Sequence, residues 1–288
     1  REEPLYEAVL RATKEGKSKF KSYEVRGTGS EVKKTVEIPL NTSTTLSGER
    51  LQRQLQTWVR NGVMEPSAEL AIKDISENTG KFLDLSNTNF VLLGAGSAMG
   101  PAETLLKYGA TVHAVDLPGP RTWARLIAAA RASSAGCLVV PVPTTVDVSS
   151  LQNDEILAKT AGCDVLMDTL DVAGWVSQVP AQHLTIGSYT YADGAKFTLI
   201  SSAVDAIIAA ACSERGTAVS LAHLLSPTEL HCVPAEAAAE AKNRQDSLSL
   251  HSLWELPVRI LSRDRYLEAN TPTLVPPHNN NNNNNNNN

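Results

Sequence analysis

Apolar positions along the chain fall into two alternating periods. Short runs rich in β-branched and aromatic residues, at 89–93, 111–115, 137–142, 164–168 and 183–187, predict strands. Between them the apolar positions recur every three or four residues: Trp123, Leu126, Ile127 and Ala130; Ile156, Leu157 and Ala161; Ile200, Val204, Ile207, Ile208 and Ala211. Strand and helix alternating at this spacing imply right-handed βαβ crossovers and a doubly wound parallel sheet of the α/β class. A further strand is expected at 218–222 and a last one at 257–261. Ser226 to Glu229 reads as a capping box, and Pro234 opens another helix.

The first 85 residues follow a different rhythm. A short helix is expected from Leu5 to Leu10, then a solvated run bearing Lys14, Lys17, Lys19 and Lys21. The alternation Val36, Ile38, Leu40 predicts an edge strand. Leu51, Leu55, Trp58 and Val59 lie at helical spacing and end at Gly62, and Pro66 opens a second helix on Ala68, Ala71, Ile72 and Ile75. We read 1–85 as an arm and helical extension that caps the main domain or meets another subunit. Residues 86–278 are expected to form the main α/β domain, and the asparagine run 279–288 is low-complexity chain outside any packed core.

The junction after the first strand of that domain concentrates the chemistry. Leu93 is followed by Gly94-Ala95-Gly96-Ser97-Ala98-Met99-Gly100, a helical pattern reaches Gly109, and the second strand ends at Asp116-Leu117. In a βαβ unit this order makes a nucleotide site. Gly94 permits the turn, Gly96 admits a phosphate, Gly100 lets the helix approach the strand, and the helix N-terminus offers N–H groups to an anion. Asp116 stands where a carboxylate accepts ribose hydroxyls. A 2′-phosphate there would oppose it, which makes NAD the expected dinucleotide and NADP the less favoured one.

Strand, glycines, helix, strand and acid together resemble the NAD(P)-binding Rossmann superfamily. The spacing is most similar to the short-chain dehydrogenase/reductase family, whose first turn has glycines at the places of Gly94 and Gly100. Gly96 and Ala98 stand where that family usually has serine and glycine. The resemblance implies an oxidoreductase acting on a small carbonyl or hydroxyl substrate, and a homo-oligomer built on the helix carrying Ile200, Val204, Ile207 and Ile208. It also implies a tyrosine acid, a lysine that lowers its pKa and a serine steadying the substrate oxygen. Ser188, Tyr189, Tyr191, Asp193 and Lys196 form the dense polar cluster where these would lie. The family's tyrosine and lysine share a helix face one turn apart, whereas Tyr191 and Lys196 are five apart with Gly194 between, so the usual pair is absent as written. Two alternatives stand beside this reading. One is an S-adenosylmethionine-dependent methyltransferase, although Leu92-Leu93 occupies the place where that family often has an acid. The other is a non-catalytic nucleotide-binding subunit of a larger assembly.

Composition narrows the classes further. A formal charge of −5 without a basic run gives no stripe for nucleic-acid phosphates. Cys137, Cys163, Cys212 and Cys232 lie far apart with no C-x-x-C pair, and His113, His183, His223 and His231 lack metal-site spacing. No metal and no disulfide framework are therefore expected, and a reducing compartment, cytoplasm or organelle matrix, suits the chain. No unbroken apolar run approaches the roughly 18 to 20 residues that span a bilayer, so no membrane partner is expected.

Overall fold

A computed structural model describes residues 3–224 except 30, 31, 33 and 42, together with the single positions 239 and 243. All elements below belong to the unit Arg1–Leu224. The expected strand at 257–261, the capping box at 226–229, the helix after Pro234, the asparagine run and Cys232 lie outside the described residues.

In chain order, α1 (Leu5–Glu15) leads to β1 (Phe20–Arg26). The two-residue strands β2 (Ile38–Pro39) and β3 (Thr45–Leu46) precede α2 (Gly48–Arg60), α3 (Pro66–Glu77) and the single turn α4 (Thr79–Phe82). Then follow β4 (Asn89–Leu93), α5 (Ala102–Lys107), β5 (Thr111–Val115), α6 (Pro120–Ala132), β6 (Cys137–Pro143), α7 (Asp154–Thr160), α8 (Thr169–Ser177), β7 (Leu184–Ser188), α9 (Ala195–Arg215) and β8 (Val219–His223). The main sheet runs β1-β6-β5-β4-β7-β8. β4 to β8 are mutually parallel, in an order that moves outward from β4 through β5 to β6 and then crosses to β7 and β8. This is a Rossmann-like, doubly wound arrangement whose switch point lies beside β4.

Both faces of the sheet are covered, which is why its strands read as nearly continuous apolar runs. Val91 and Leu93 face a core completed by α1, α8 and α9, including Val9, Val172, Trp175 and Ile207. Leu92 faces the opposite core, with Trp123, Leu126 and Ile127 of α6 and Leu157 of α7. On α9, Val204 and Ile207 are buried, and Ile200 and Ile208 pack half-buried on the same core.

Four features depart from the pattern-based reading. Residues 164–168 do not form a strand. Asp164 Oδ1 accepts the N–H groups of Leu166 and Met167, and Asp168 Oδ2 accepts that of Asp164, so the two acids fold the segment into a turn that opens α8. The lysine-bearing stretch, by contrast, contains a strand. β1 pairs antiparallel with β6, Phe20 opposite Pro143 and Arg26 opposite Cys137, and α1 packs on α8 and α9. The chain's first elements thus belong to the main sheet and its cover. Of the strand expected around Val36 to Leu40, only Ile38–Pro39 forms. Its Ile38 packs with Val36 on a separate small cluster in which α2 buries Leu51 and Leu55, while α3 adds the half-buried Ile72 and has no buried residue. Finally, Ala195–Ala218 is long and apolar enough, at a mean hydropathy of 1.5, to cross a membrane by length and composition. Lys196 and Asp205 interrupt its apolar run, which is why counting unbroken runs passed over it.

Candidate functional site

A cleft of about 240 Å³ opens at the carboxyl ends of β4, β5 and β7, the place where ligands lie in open α/β sheets. The glycine turn supplies Gly94, Gly96 and Ser97, and the end of β5 supplies Val115, Asp116 and Leu117. The turn before α8 adds Cys163, Asp164 and Val165, and the segment after β7 adds Tyr189, Thr190, Tyr191, Lys196 and Ile200. Of the residues expected to act on a ligand, only Ser188, Met99 and Gly100 do not line it.

Gly94 has φ +84°, and a Cβ there would stand 2.7 to 2.8 Å from the backbone of Tyr189 and Thr190. Glycine at this point lets the segment after β7 cross the turn. Gly96 is equally confined: a Cβ would meet Thr122 Cγ2 at 2.2 Å and Asp116 Oδ2 at 3.0 Å. Gly100 does something other than bring a helix onto the strand, since its nearest neighbours lie within the turn itself, Ser97 O at 3.2 Å first.

The turn's own hydrogen bonds decide where a ligand can be held. The amides of Gly94 and Ala95 donate to Val115 O, that of Ser97 to Gly94 O, and that of Gly100 to Ser97 O. Gly96 N–H donates to Asp116 Oδ2 at 2.6 Å. Among the described residues, the amides of Ala98 and Met99 donate to no protein acceptor, and Met99 is 76% exposed. The free donors therefore lie two residues beyond the position that the glycine spacing suggests. The expected helix N-terminus does not back them: α5 begins only at Ala102, spans six residues, and is preceded by Pro101, which has no N–H.

Asp116 is fixed on three sides. Besides Gly96, Leu117 N–H donates to Oδ1 at 2.8 Å, and Cys163 N–H donates to the Asp116 carbonyl at 2.9 Å. Each carboxylate oxygen keeps a second lone pair for a further donor. Arg125 reaches the turn from α6, donating to Gly96 O at 2.7 Å and pairing with Glu103. Burial pushes the Cys163 thiol well above its ordinary range, which keeps it a neutral wall of the cleft.

The segment after β7 is arranged differently. Ser188 ends β7, opposite Leu93 and His223 in register. Tyr189 N–H donates to Leu93 O, and its ring folds back over Gly187, where a Cβ would meet Tyr189 Cε2 at 2.6 Å. Partial burial raises the Tyr189 phenol. Tyr191 is 78% exposed and donates its hydroxyl to Asp193 Oδ1 at 2.8 Å, and that acceptor holds its phenol above the usual value. Both tyrosines thus shift opposite to the direction that eases phenol ionisation. Lys196 shares the cleft with Tyr189 and Tyr191, but no hydrogen bond joins it to either.

Cys137, Cys163 and Cys212 carry free thiols, and no group of His, Cys, Asp or Glu among the described residues is arranged to hold a metal ion. Asp164 and Thr190 are site residues that the motif reasoning missed. Asp164 was hidden in an apparent strand, and Thr190 reaches the cleft only because the chain crosses Gly94. No protein-family model, curated protein or solved structure matches this chain.

Proposed function

We propose that the chain binds NAD in the cleft beside β4 and is an atypical NAD-dependent oxidoreductase acting on a small carbonyl or hydroxyl substrate. The observation that carries the reading is Asp116: a carboxylate at the switch point, fixed by two backbone N–H groups, with lone pairs open to both hydroxyls of a ribose. The adjacent free amides of Ala98 and Met99 offer a pyrophosphate two successive donors. Sites for small molecules usually enclose roughly 300 to 1,000 Å³. At about 240 Å³ the cleft suits one nucleoside half, with the rest of the cofactor along the open turn.

Asp116 also favours NAD over NADP. A 2′-phosphate roughly 4 Å from the carboxylate would be repelled by on the order of 4 kcal/mol per pair of charges at an effective dielectric of about 20. Arg125, the cation on the turn, is already engaged by Gly96 O and Glu103. Hydride transfer would need its proton handled by something other than an acidified tyrosine, given the upward shifts at Tyr189 and Tyr191.

A second reading, an S-adenosylmethionine-dependent methyltransferase, draws on one observation. Two acids, Asp116 and Asp164, line the cleft, and the helix that follows the glycines spans only six residues and opens behind Pro101, which has no N–H to offer. A cofactor with a sulfonium and an ammonium but no pyrophosphate matches that charge. Calorimetric titration with NAD, NADP and S-adenosylmethionine separates the readings. NAD is expected to bind tightest, with Asp116→Asn weakening it about tenfold, the scale of 1.4 kcal/mol. Binding of S-adenosylmethionine alone would install the second reading, and tighter binding of NADP than of NAD would overturn the ribose argument.

A further inference from the structure

Besides its charged groups the cleft has an apolar wall, and that wall has the chemistry of a substrate site. Leu117 is 50% exposed, Ile200 is half-buried, and the rings of Tyr191 and Phe197 lie tilted against each other with centroids 6.1 Å apart. Single exposed apolar side chains are ordinary, but three bordering one cleft, with a fourth packed on one of them, make a surface that water solvates poorly.

One cation lines the cleft with it. Of the three charged residues that line the cleft among the described residues, Asp116 and Asp164 accept backbone N–H groups, while the Lys196 ammonium has no carboxylate partner among the described residues. Asp193, its nearest acid along the chain, is taken by the Tyr191 hydroxyl. An apolar wall with an ammonium that makes no ion pair among the described residues complements a molecule that is apolar along its length and anionic at one end.

We infer that the carbonyl or hydroxyl substrate of this cleft is also a small, largely apolar carboxylic acid, its carboxylate on Lys196 and its hydrocarbon part against Leu117, Tyr191, Phe197 and Ile200. The assignment rests on the cofactor reading only in leaving Asp116 to the ribose. It makes Lys196 a substrate-binding residue rather than the partner of a tyrosine acid, which accords with the absence of a hydrogen bond between them.

The test titrates the full chain with 4-methylpentanoate, with its neutral isostere 4-methylpentanamide, and with acetate, each with and without saturating NAD. The acid is expected to bind about tenfold tighter than either, the scale of one charge-assisted hydrogen bond for the amide and of a lost apolar contact for acetate. Lys196→Met should erase the preference for acid over amide, and Lys196→Arg should restore it. Phe197→Ser should weaken acid and amide together. Equal binding of acid and amide, or a preference that survives Lys196→Met, would overturn the assignment. NAD binding without acid binding would sink this inference and leave the cofactor reading standing, whereas an acid preference without NAD binding would do the reverse.

Discussion

The glycine turn after β4 and the tyrosine segment after β7 meet over the same cleft, yet they are held by different forces. The turn is fixed by backbone: five of its amides donate to fixed acceptors, and neither Gly94 nor Gly96 has room for one more carbon. Between Thr190 and α9 the segment is held by the exposed contact of the Tyr191 hydroxyl with Asp193, and the first residues of α9, Ala195 to Leu199, are all exposed. One rim is built to place a ligand atom, and the other keeps side chains free to fit whatever is brought. A cofactor shared by many reactions suits the first, and a particular substrate suits the second.

The contrast breaks most severely at Gly94. In Gly94→Ala the left-handed backbone costs roughly 1 to 2 kcal/mol and overpacking against Tyr189 and Thr190 roughly 1 to 3 more, so urea unfolding should show a loss of about 4 kcal/mol. A loss below about 1 kcal/mol would mean that the turn yields, and the rigid rim with it.

The rigid side continues down β5 to His113, which is 5% exposed, edge-on to Trp175, and has its Nδ1 without a partner. Burial lowers its pKa from 6.5 to about 4. The unfolded chain therefore takes up a proton that the folded chain refuses between those values, and stability falls as pH drops through that window. At about 1.36 kcal/mol per pH unit the loss between pH 7 and pH 4.5 is about 2.5 kcal/mol. Urea midpoints at pH 7 and pH 4.5 should show it in the wild type and not in His113→Leu. An equal slope in both would detach His113 from the acid sensitivity of the core.

A smaller effect sharpens the account of the turn itself. Gly96→Ala drives its methyl into Thr122 Cγ2 and toward Asp116 Oδ2, and nucleotide affinity should fall about tenfold, or 1.4 kcal/mol. Thr122→Ser removes that carbon, and in the double variant calorimetry should recover most of the loss. Failure of the serine to help would place the damage elsewhere than at Asp116. The least effect belongs to the loose rim: Tyr191→Phe should change stability by no more than about 0.5 kcal/mol, and a melting shift well beyond that would show the segment to be as fixed as the turn.

Much of the fold could be read along the chain because β4, β5, β6 and β7 are apolar runs of strand length and α6 and α9 carry apolar positions at helical spacing. Asp116 and the glycines were legible for the same reason, as markers at the ends of strongly patterned strands. The errors fall where one period is ambiguous or mixed. In Phe20–Arg26 charged and apolar side chains alternate irregularly, as an edge strand allows, and β6 supplies the pairing that makes it a strand. In 164–168 the apolar residues suggested a strand, while two acids bonding to nearby amides held the segment as a turn.

By itself, then, the sequence determined which segments are helix or strand wherever burial on one or two faces imposed a period, and that a carboxylate follows the strand after the glycine turn. The tertiary structure alone decided that β1 closes the sheet beside β6, that the segment after β7 crosses Gly94, and that the open amides are those of Ala98 and Met99. It also decided that Lys196 stands apart from both tyrosines. Periodicity is a local consequence of burying one face of a repeating backbone. Strand neighbours, loop crossings and the use of each lone pair are settled between residues tens of positions apart, where spacing along the chain carries no record of distance in space.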